Sequence, residues 1–197
     1  MLFDSGVNGV VFPNPVDVYC LSQTLDIINS CLLNGRMYAD FSKWPSVESP
    51  FLKLEAIQLL QSEVVADYEV LPVPVSHSVP SVGYQVISKD GKSLFYTGDT
   101  GPGLATCWES VSPDVLLIEV SGPNAFNNYL GSMRHLTPAS LKEELHQFSR
   151  IKGYLPHVVV VHIPPQYHSA VEAEVAEVGK ELGVDIMVGR EDMVINI

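Results

Sequence analysis

The chain has 197 residues, a hydrophobic content of 46% and a net charge of −12 at neutral pH. This size and composition predict a single well-packed domain over residues 1–197 and exclude a disordered chain. The sequence has no Lys/Arg cluster of the kind that binds a phosphate backbone, so nucleic-acid partners are disfavoured. It also has no apolar run near the ~20 residues that span a bilayer, so no membrane partner is expected.

The first third of the chain predicts a short strand, a helix and a long loop. Residues 16–19 read as a strand, and residues 21–33 carry apolar side chains at helical spacing. From residue 34 to residue 50 the pattern weakens and Xaa-Pro steps mark a loop, a kind of segment that often forms a pocket wall. Strands resume at residues 51–60.

The middle of the chain predicts more strands. Residues 70–75 are strand-like, and the runs 83–88 and 93–96 flank an Asp-Gly step at 90–91, which is a strong hairpin signal. Residues 115–120 form a continuous apolar strand.

Helices and strands alternate in the last third. Residues 138–148 predict a helix with Thr137 at the N-cap and Pro138 at the first helical position. The remaining elements are a buried strand, a second amphipathic helix and a closing pair of strands, at residues 158–161, 170–182, and 184–188 with 193–197. Early hairpins followed by β-α-β alternation predict a mixed sheet packed against helices.

Four polar residues stand at the ends of these elements. His77, Asp99 and His162 each follow a predicted strand, and His135 precedes the helix that begins at residue 138. Ligands of open α/β sheets commonly bind at the carboxyl ends of strands. Imidazoles and a carboxylate that converge there suit zinc, manganese or iron.

Each of the four residues also has a structural interpretation. A lone histidine at a strand end, such as His77, is more often a hydrogen-bonded structural residue. Asp99 fits a turn, His135 fits the position before a helix cap, and a buried His162 needs only a hydrogen-bond partner. Their joint placement favours a metal-centred site.

The order of these motifs resembles the metallo-β-lactamase superfamily. The nearer resemblance is to the class II 3′,5′-cyclic-nucleotide phosphodiesterases, with the tRNase Z-type enzymes as neighbours. The residues that carry it are His77 with Val82–Tyr84, Thr97–Thr100, His135–Pro138 and Val161–His162. The His135–Pro138 segment, with residues 118–121 upstream and 141–145 downstream, is closest to the cyclic-nucleotide branch.

The resemblance implies an αββα sandwich of the α/β (α+β) class that hydrolyses cAMP or cGMP to 5′-nucleotides. It makes His77 a ligand to one of two divalent metal ions and His162 a ligand to the other. Asp99 becomes the bridging carboxylate, and His135 becomes a phosphate contact or proton donor. Zinc is favoured, and manganese or iron fits the same ligands. The implied partner is a small cyclic nucleotide, a homodimer is compatible, and a cytoplasmic location is favoured.

The family's hallmark, H-x-H-x-D-H, supplies ligands to both metals and does not occur in this sequence. Residues 15–19 match the strand that follows it in the family. We therefore expect the chain to begin just after the hallmark, to lack the first strands of the sandwich, and to hold about two-thirds of the full domain.

On that expectation, residues 1–197 alone are inactive. Two alternatives to a cyclic-nucleotide phosphodiesterase stay open. The first is a tRNase Z-like endoribonuclease, which the net charge and the absence of a Gly/Pro- and Lys-rich arm disfavour. The second is a non-catalytic remnant.

Overall fold

A computed structural model describes residues 3–7 and 10–197, with side chains from residue 14 onward. The chain divides into two compact units, Met1–Gln58 and Leu59–Ile197. All four predicted site residues belong to the second unit. The prediction of one domain over the whole chain stays a prediction.

The first unit contains two small sheets and one helix. Its elements are β1 (Phe3–Val7), β2 (Val10–Pro13), β3 (Val16–Leu21), α1 (Ser22–Ile27) and β4 (Leu52–Ile57). Strands β1 and β2 pair antiparallel, whereas β3 and β4 pair in parallel. Helix α1 continues as a π-helix over Ile28–Leu32, so the helix predicted at 21–33 is confirmed. The loop predicted at 34–50 is also confirmed, and its aromatic rings Phe41 and Trp44 pack with Phe51.

The second unit is built on a seven-stranded mixed sheet. Its strands are β5 (Glu63–Val65), β6 (Tyr68–Pro74), β7 (Val82–Ile87), β8 (Ser93–Tyr96), β9 (Val115–Glu119), β10 (His157–Val161) and β11 (Ile186–Val188). Their order across the sheet is β11-β10-β9-β8-β7-β6-β5. The four strands from β8 to β11 run parallel, and β5, β6, β7 and β8 pair antiparallel in succession. The predicted mixed sheet is confirmed.

Four helices connect these strands. They are α2 (Ala105–Ser110), α3 (Asn127–Ser132), α4 (Pro138–Lys152) and α5 (His168–Leu182). Helix α4 begins where the sequence predicts, because the Thr137 side chain accepts from the backbone of Ser140 while the Ser140 hydroxyl accepts from the Thr137 N–H. It ends at Lys152, four residues beyond the predicted Phe148, and Gly153 is its C-cap.

Apolar side chains from α2, α4 and α5 pack on one face of the sheet. On β9 and β10 the buried residues of this core alternate, as Leu116 with Ile118 and Val158 with Val160, which is the period of a strand. Trp108 of α2 lies at the centre, edge-on to Phe148 of α4 at 5.3 Å. This packing fixes the carboxyl ends of the parallel strands relative to the start of α4.

A buried carboxylate, Glu144 of α4, ties the loop before α2 to this core. It accepts hydrogen bonds from the N–H groups of Gly103 and Leu104 and from the Trp108 indole N–H. Three donors compensate the burial of this charge. The segment that follows Asp99 is therefore held by α4 rather than left as a free loop.

The predicted strand at residues 193–197 is wrong. Strand β11 pairs in parallel with β10, and among the described residues no strand follows Val188. The chain turns instead, with the Met193 N–H donating to the Arg190 carbonyl, and Val194 is 80% exposed. Parallel pairing with β10 buries Ile186 in the core, which a local strand pair could not do.

Several short elements were not predicted, namely β1, β2, β5, α2 and α3. None exceeds six residues, so too few side chains show a period. In the described part of the chain the longest helices have 15 residues, and none qualifies as a membrane span.

Candidate functional site

The four predicted site residues lie at one edge of the seven-stranded sheet. Asp99 follows β8 and His162 follows β10, and these strands run in the same direction on either side of β9. His77 follows β6, which is antiparallel to β7 and therefore runs in the same direction as β8. His135 reaches this edge from the segment before α4, which is anchored by the Ser121 N–H donating to the Leu136 carbonyl.

Direct contacts connect the four side chains one after another, from His77 through His135 and His162 to Asp99. The rings of His77 and His135 lie edge to face with their centroids 5.1 Å apart. The rings of His135 and His162 stack with centroids 5.9 Å apart. The Nε2 atom of His162 lies 3.6 Å from the Oδ1 atom of Asp99. Segments 85 residues apart in sequence thus meet in one cluster.

Two unusual backbone conformations shape this cluster. Gly98 has a φ of +60°, a region that favours glycine, and it turns the chain between β8 and Asp99. His162 has a φ of +64° although it is not glycine. Such a conformation is rare for other residues and concentrates at functional sites, where surrounding structure maintains it. Here it aims the imidazole back towards Asp99.

A fifth residue, Glu119, was not predicted as part of the site. It is the last residue of β9, and its side chain is 1% exposed. Its Oε1 atom accepts from the Thr100 N–H and from Nδ1 of His135, each at 2.7 Å. Its Oε2 atom accepts from the Ser121 hydroxyl at 2.7 Å and from the Leu136 N–H at 3.4 Å. Four donors occupy the roughly four lone-pair positions of the carboxylate.

Ser121 connects Glu119 to the third histidine. Because its hydroxyl proton goes to Glu119, its oxygen is free to accept from Nδ1 of His162, which lies 3.0 Å away. The same oxygen lies 3.2 Å from Nδ1 of His135. Ser121 is 8% exposed, so this bridge is shielded from water.

All three site histidines therefore use Nδ1 for an internal hydrogen bond. His77 donates from Nδ1 to the backbone carbonyl of Arg134 at 3.1 Å, His135 donates to Glu119, and His162 donates to Ser121. The protons are assigned from these partners. In the neutral rings this arrangement leaves the lone pair on Nε2, as in metal-binding histidines whose other nitrogen is tied to an oxygen.

The donor set fits a metal ion at Asp99 and His162. Two ligands at ~2.1 Å from one tetrahedral ion are about 3.4 Å apart, close to the 3.6 Å between Asp99 Oδ1 and His162 Nε2. Ligand-type atoms of Glu119, His135 and His162 also lie within 4.8 Å of one another. Glu119 has no lone pair left for an ion, however, so this second group is a hydrogen-bonded relay rather than a metal centre.

One sequence signal could have identified Glu119. An acidic residue that ends a wholly apolar buried strand carries a charge that must find partners. The identity of those partners depends on topology, because His135 is 16 residues further along the chain. Ser121 has no comparable signal, since serine after a strand is common.

Comparison with known proteins gives one curated relative and several similar structures. No protein-family model matches the chain. A probable 3′,5′-cyclic-nucleotide phosphodiesterase from Yersinia pestis is 27% identical over 190 residues, covering 82% of this chain and 54% of that protein. The chain thus spans about half the length of the curated relative that it matches.

Similar solved structures share the fold at low sequence identity. Unliganded yeast PDE1 superposes with a TM-score of 0.81 at 18% identity, covering 93% of this chain and 60% of that chain. The metallo-β-lactamase fold protein YhfI from Bacillus subtilis gives 0.67 at 13%, covering 94% and 67%. The short form of human tRNase Z gives 0.55 at 18%, covering 93% and 68%. The chain therefore has the metallo-β-lactamase fold, and the resemblance to 3′,5′-cyclic-nucleotide phosphodiesterases that its motifs predicted is confirmed.

Proposed function

We propose that this chain belongs to a metal-dependent phosphodiester hydrolase whose substrate is a 3′,5′-cyclic nucleotide. The observation that carries the proposal is the convergence of three Nδ1-anchored histidines and Asp99 at the carboxyl edge of the sheet. The name of the Yersinia pestis relative supports the cyclic-nucleotide substrate.

In this proposal His77, Asp99 and His162 hold two divalent ions, with Asp99 bridging them. Zinc is our first choice, because imidazole nitrogen and carboxylate oxygen are common zinc ligands, and manganese or iron suits the same atoms. Bound divalent ions lower the pKa of water and stabilise charge on phosphoryl oxygens.

His135 supplies the proton in the proposed reaction. Glu119 holds its Nδ1, so a protonated ring carries its second proton on Nε2, and the side chain is 20% exposed. Water adds to phosphorus and releases one proton to solvent, the bond from phosphorus to the 3′-oxygen breaks, and that oxygen takes the Nε2 proton. His135 regains its proton from solvent before the next turnover. The product is a 5′-nucleotide. Proton donation of this kind typically contributes ~10²–10⁴-fold to the rate.

The second candidate is a tRNase Z-like endoribonuclease. The structural similarity to human tRNase Z favours it as a relative in fold, at a lower TM-score than yeast PDE1. The net charge of −12 counts against binding a tRNA, whose phosphates require a basic surface. A non-catalytic protein is the third outcome.

One experiment separates these functions. The product of the complete reading frame of the gene is purified with zinc, and cyclic AMP, cyclic GMP and a precursor tRNA are offered as substrates. We expect 5′-nucleotide from a cyclic nucleotide and no tRNA cleavage. His135→Ala should remove most turnover, whereas His146→Ala, at an exposed histidine of α4, should not change it. Cleavage of the tRNA alone would establish the second candidate, and no turnover with bound zinc would establish the third.

A further inference from the structure

We propose that the guanidinium of Arg134 binds the anionic phosphate group of the substrate beside the histidine cluster. The substrate class assumed here rests on the proposed function. Arg134 follows α3 and immediately precedes His135, so it stands at the rim of the site by its place in the chain.

Three contacts fix Arg134 against the site. Its carbonyl accepts from Nδ1 of His77, and its Nη1 atom donates to the Ser76 hydroxyl at 3.1 Å. Its backbone also packs tightly on the turn after Asp99, because a Cβ added at Gly101 would lie 2.7 Å from the Arg134 Cα atom. The guanidinium is therefore held next to the segment that carries His77.

The backbone at Arg134 ends helix α3 and turns the chain towards His135. Its φ is +58°, in the left-handed region that glycine adopts most readily. This conformation is the C-terminal cap of α3, because the Arg134 N–H donates to the Gly131 carbonyl and the His135 N–H donates to the Leu130 carbonyl. Because Arg134 uses its carbonyl for His77, a glycine could make that bond equally well, so the carbonyl alone does not account for the arginine.

The guanidinium of Arg134 is available to bind an anion. Arg134 is exposed, and in the described part of the chain it forms no ion pair with a carboxylate. Among described residues, no other Lys or Arg hydrogen-bonds to a residue at positions 76, 77, 99, 119, 121, 135 or 162. Within the described residues, one of its five N–H donors has a partner, which is the neutral Ser76 hydroxyl.

An anionic substrate approaches this protein against a net charge of −12. A fixed guanidinium at the rim offsets this repulsion, and its planar fork can donate two parallel hydrogen bonds to phosphate oxygens. Lysine at this position would supply charge without the fork.

The test measures phosphate binding separately from turnover. Inorganic phosphate is titrated by calorimetry into the zinc-loaded product of the complete reading frame, and KM and kcat for cyclic AMP are measured on the same protein. The variants are Arg134→Gln, Arg134→Lys and Arg134→Gly, the last of which fits the left-handed backbone and guards against misfolding. Arg150→Gln, at the exposed far end of α4, is the matched control for the loss of one charge.

We expect Arg134→Gln and Arg134→Gly to weaken phosphate binding about tenfold or more, as for the loss of a charge-assisted hydrogen bond. Arg134→Lys should lose less, Arg150→Gln should stay within about twofold, and zinc content should be unchanged. KM for cyclic AMP should rise more than kcat falls. The proposal is overturned if wild type binds no phosphate, if Arg134→Gln binds it as wild type does, or if Arg150→Gln loses as much. Normal phosphate results without cyclic-nucleotide turnover would instead remove the proposed function and leave the anion contact standing.

Discussion

Replacing Glu119 by glutamine tests whether this carboxylate orients the histidines or binds metal itself. The substitution keeps the volume of a buried side chain but exchanges one acceptor oxygen for an NH₂ group. The amide has two ways to fit. With its nitrogen at the Oε1 position it would face two fixed donors, the Thr100 N–H and Nδ1–H of His135. With its nitrogen at the Oε2 position it faces the Ser121 hydroxyl, which can rotate, so we expect this second orientation.

The consequence reaches His162 through Ser121. Once the hydroxyl accepts from the new amide, its proton turns towards Nδ1 of His162, which lies 3.0 Å away. His162 must then carry its own proton on Nε2, and the lone pair that faces Asp99 is lost. Removing such an outer partner typically lowers metal affinity about 10–100-fold. The substitution also replaces charged hydrogen bonds by neutral ones and leaves the Leu136 N–H unpaired. The free energy of unfolding should therefore fall by about 2–4 kcal/mol.

Zinc affinity by chelator competition and stability by urea denaturation measure both effects. Glu143→Gln, the same substitution at an exposed position of α4, is the matched control and should match wild type in both assays. A Glu119→Gln variant with wild-type zinc affinity and stability would refute the relay through Ser121. Complete loss of zinc, well beyond 100-fold, would show that Glu119 is itself a metal ligand.

Three further predictions concern other parts of the molecule. Asp99→Ala should lose most of its zinc in elemental analysis, whereas His135→Ala should keep its zinc and lose ~10²–10⁴-fold in cyclic AMP turnover; equal zinc loss in both would make His135 a ligand. Glu144→Gln should lower the free energy of unfolding by about 1–3 kcal/mol in urea, because an amide NH₂ then meets buried N–H donors; unchanged stability would contradict the role of Glu144. Burial, and secondarily the Glu144 carboxylate, raises the pKa of the Cys107 thiol to about 12. At pH 8 iodoacetamide should therefore label the exposed Cys31 and leave Cys107 unreacted until the protein unfolds. Rapid labelling of Cys107 in the folded protein would refute this.

The sequence predicts much of this site because strand direction places residues in a simple way. Once 93–96 and 158–161 are identified as parallel strands, Asp99 and His162 must lie at the same edge of the sheet. The capped helix after His135 is equally predictable, since Thr137 and Pro138 mark its start. The roles of these residues as ligands and proton donor stay predictions.

The features of the site and sheet that the sequence does not predict depend on contacts between distant segments. Glu119 reads as the end of an apolar strand, and only the folded chain brings it to His135, to Thr100 and, through Ser121, to His162. The prediction of a strand at residues 193–197 is wrong for the same reason. The local pattern suggests that residues 184–188 pair with a segment nearby in sequence. Strand β11 pairs instead with β10, and α5 lies between these two strands in the chain.

The position of β9 explains why its end carries the relay rather than the proposed ligands. Strands β8 and β10 flank β9, so their axes are about 9–10 Å apart. Asp99 and His162 nevertheless approach to 3.6 Å, which requires both side chains to reach across the end of β9. Small residues must therefore stand where these side chains cross, and Ser121 and Gly122 follow the buried Glu119 and Val120 at this end. A large residue at position 121 would separate Asp99 from His162 and at the same time remove the acceptor that orients the His162 ring. Strand β9 thus sets the geometry of the site, although we assign no metal ligand to it.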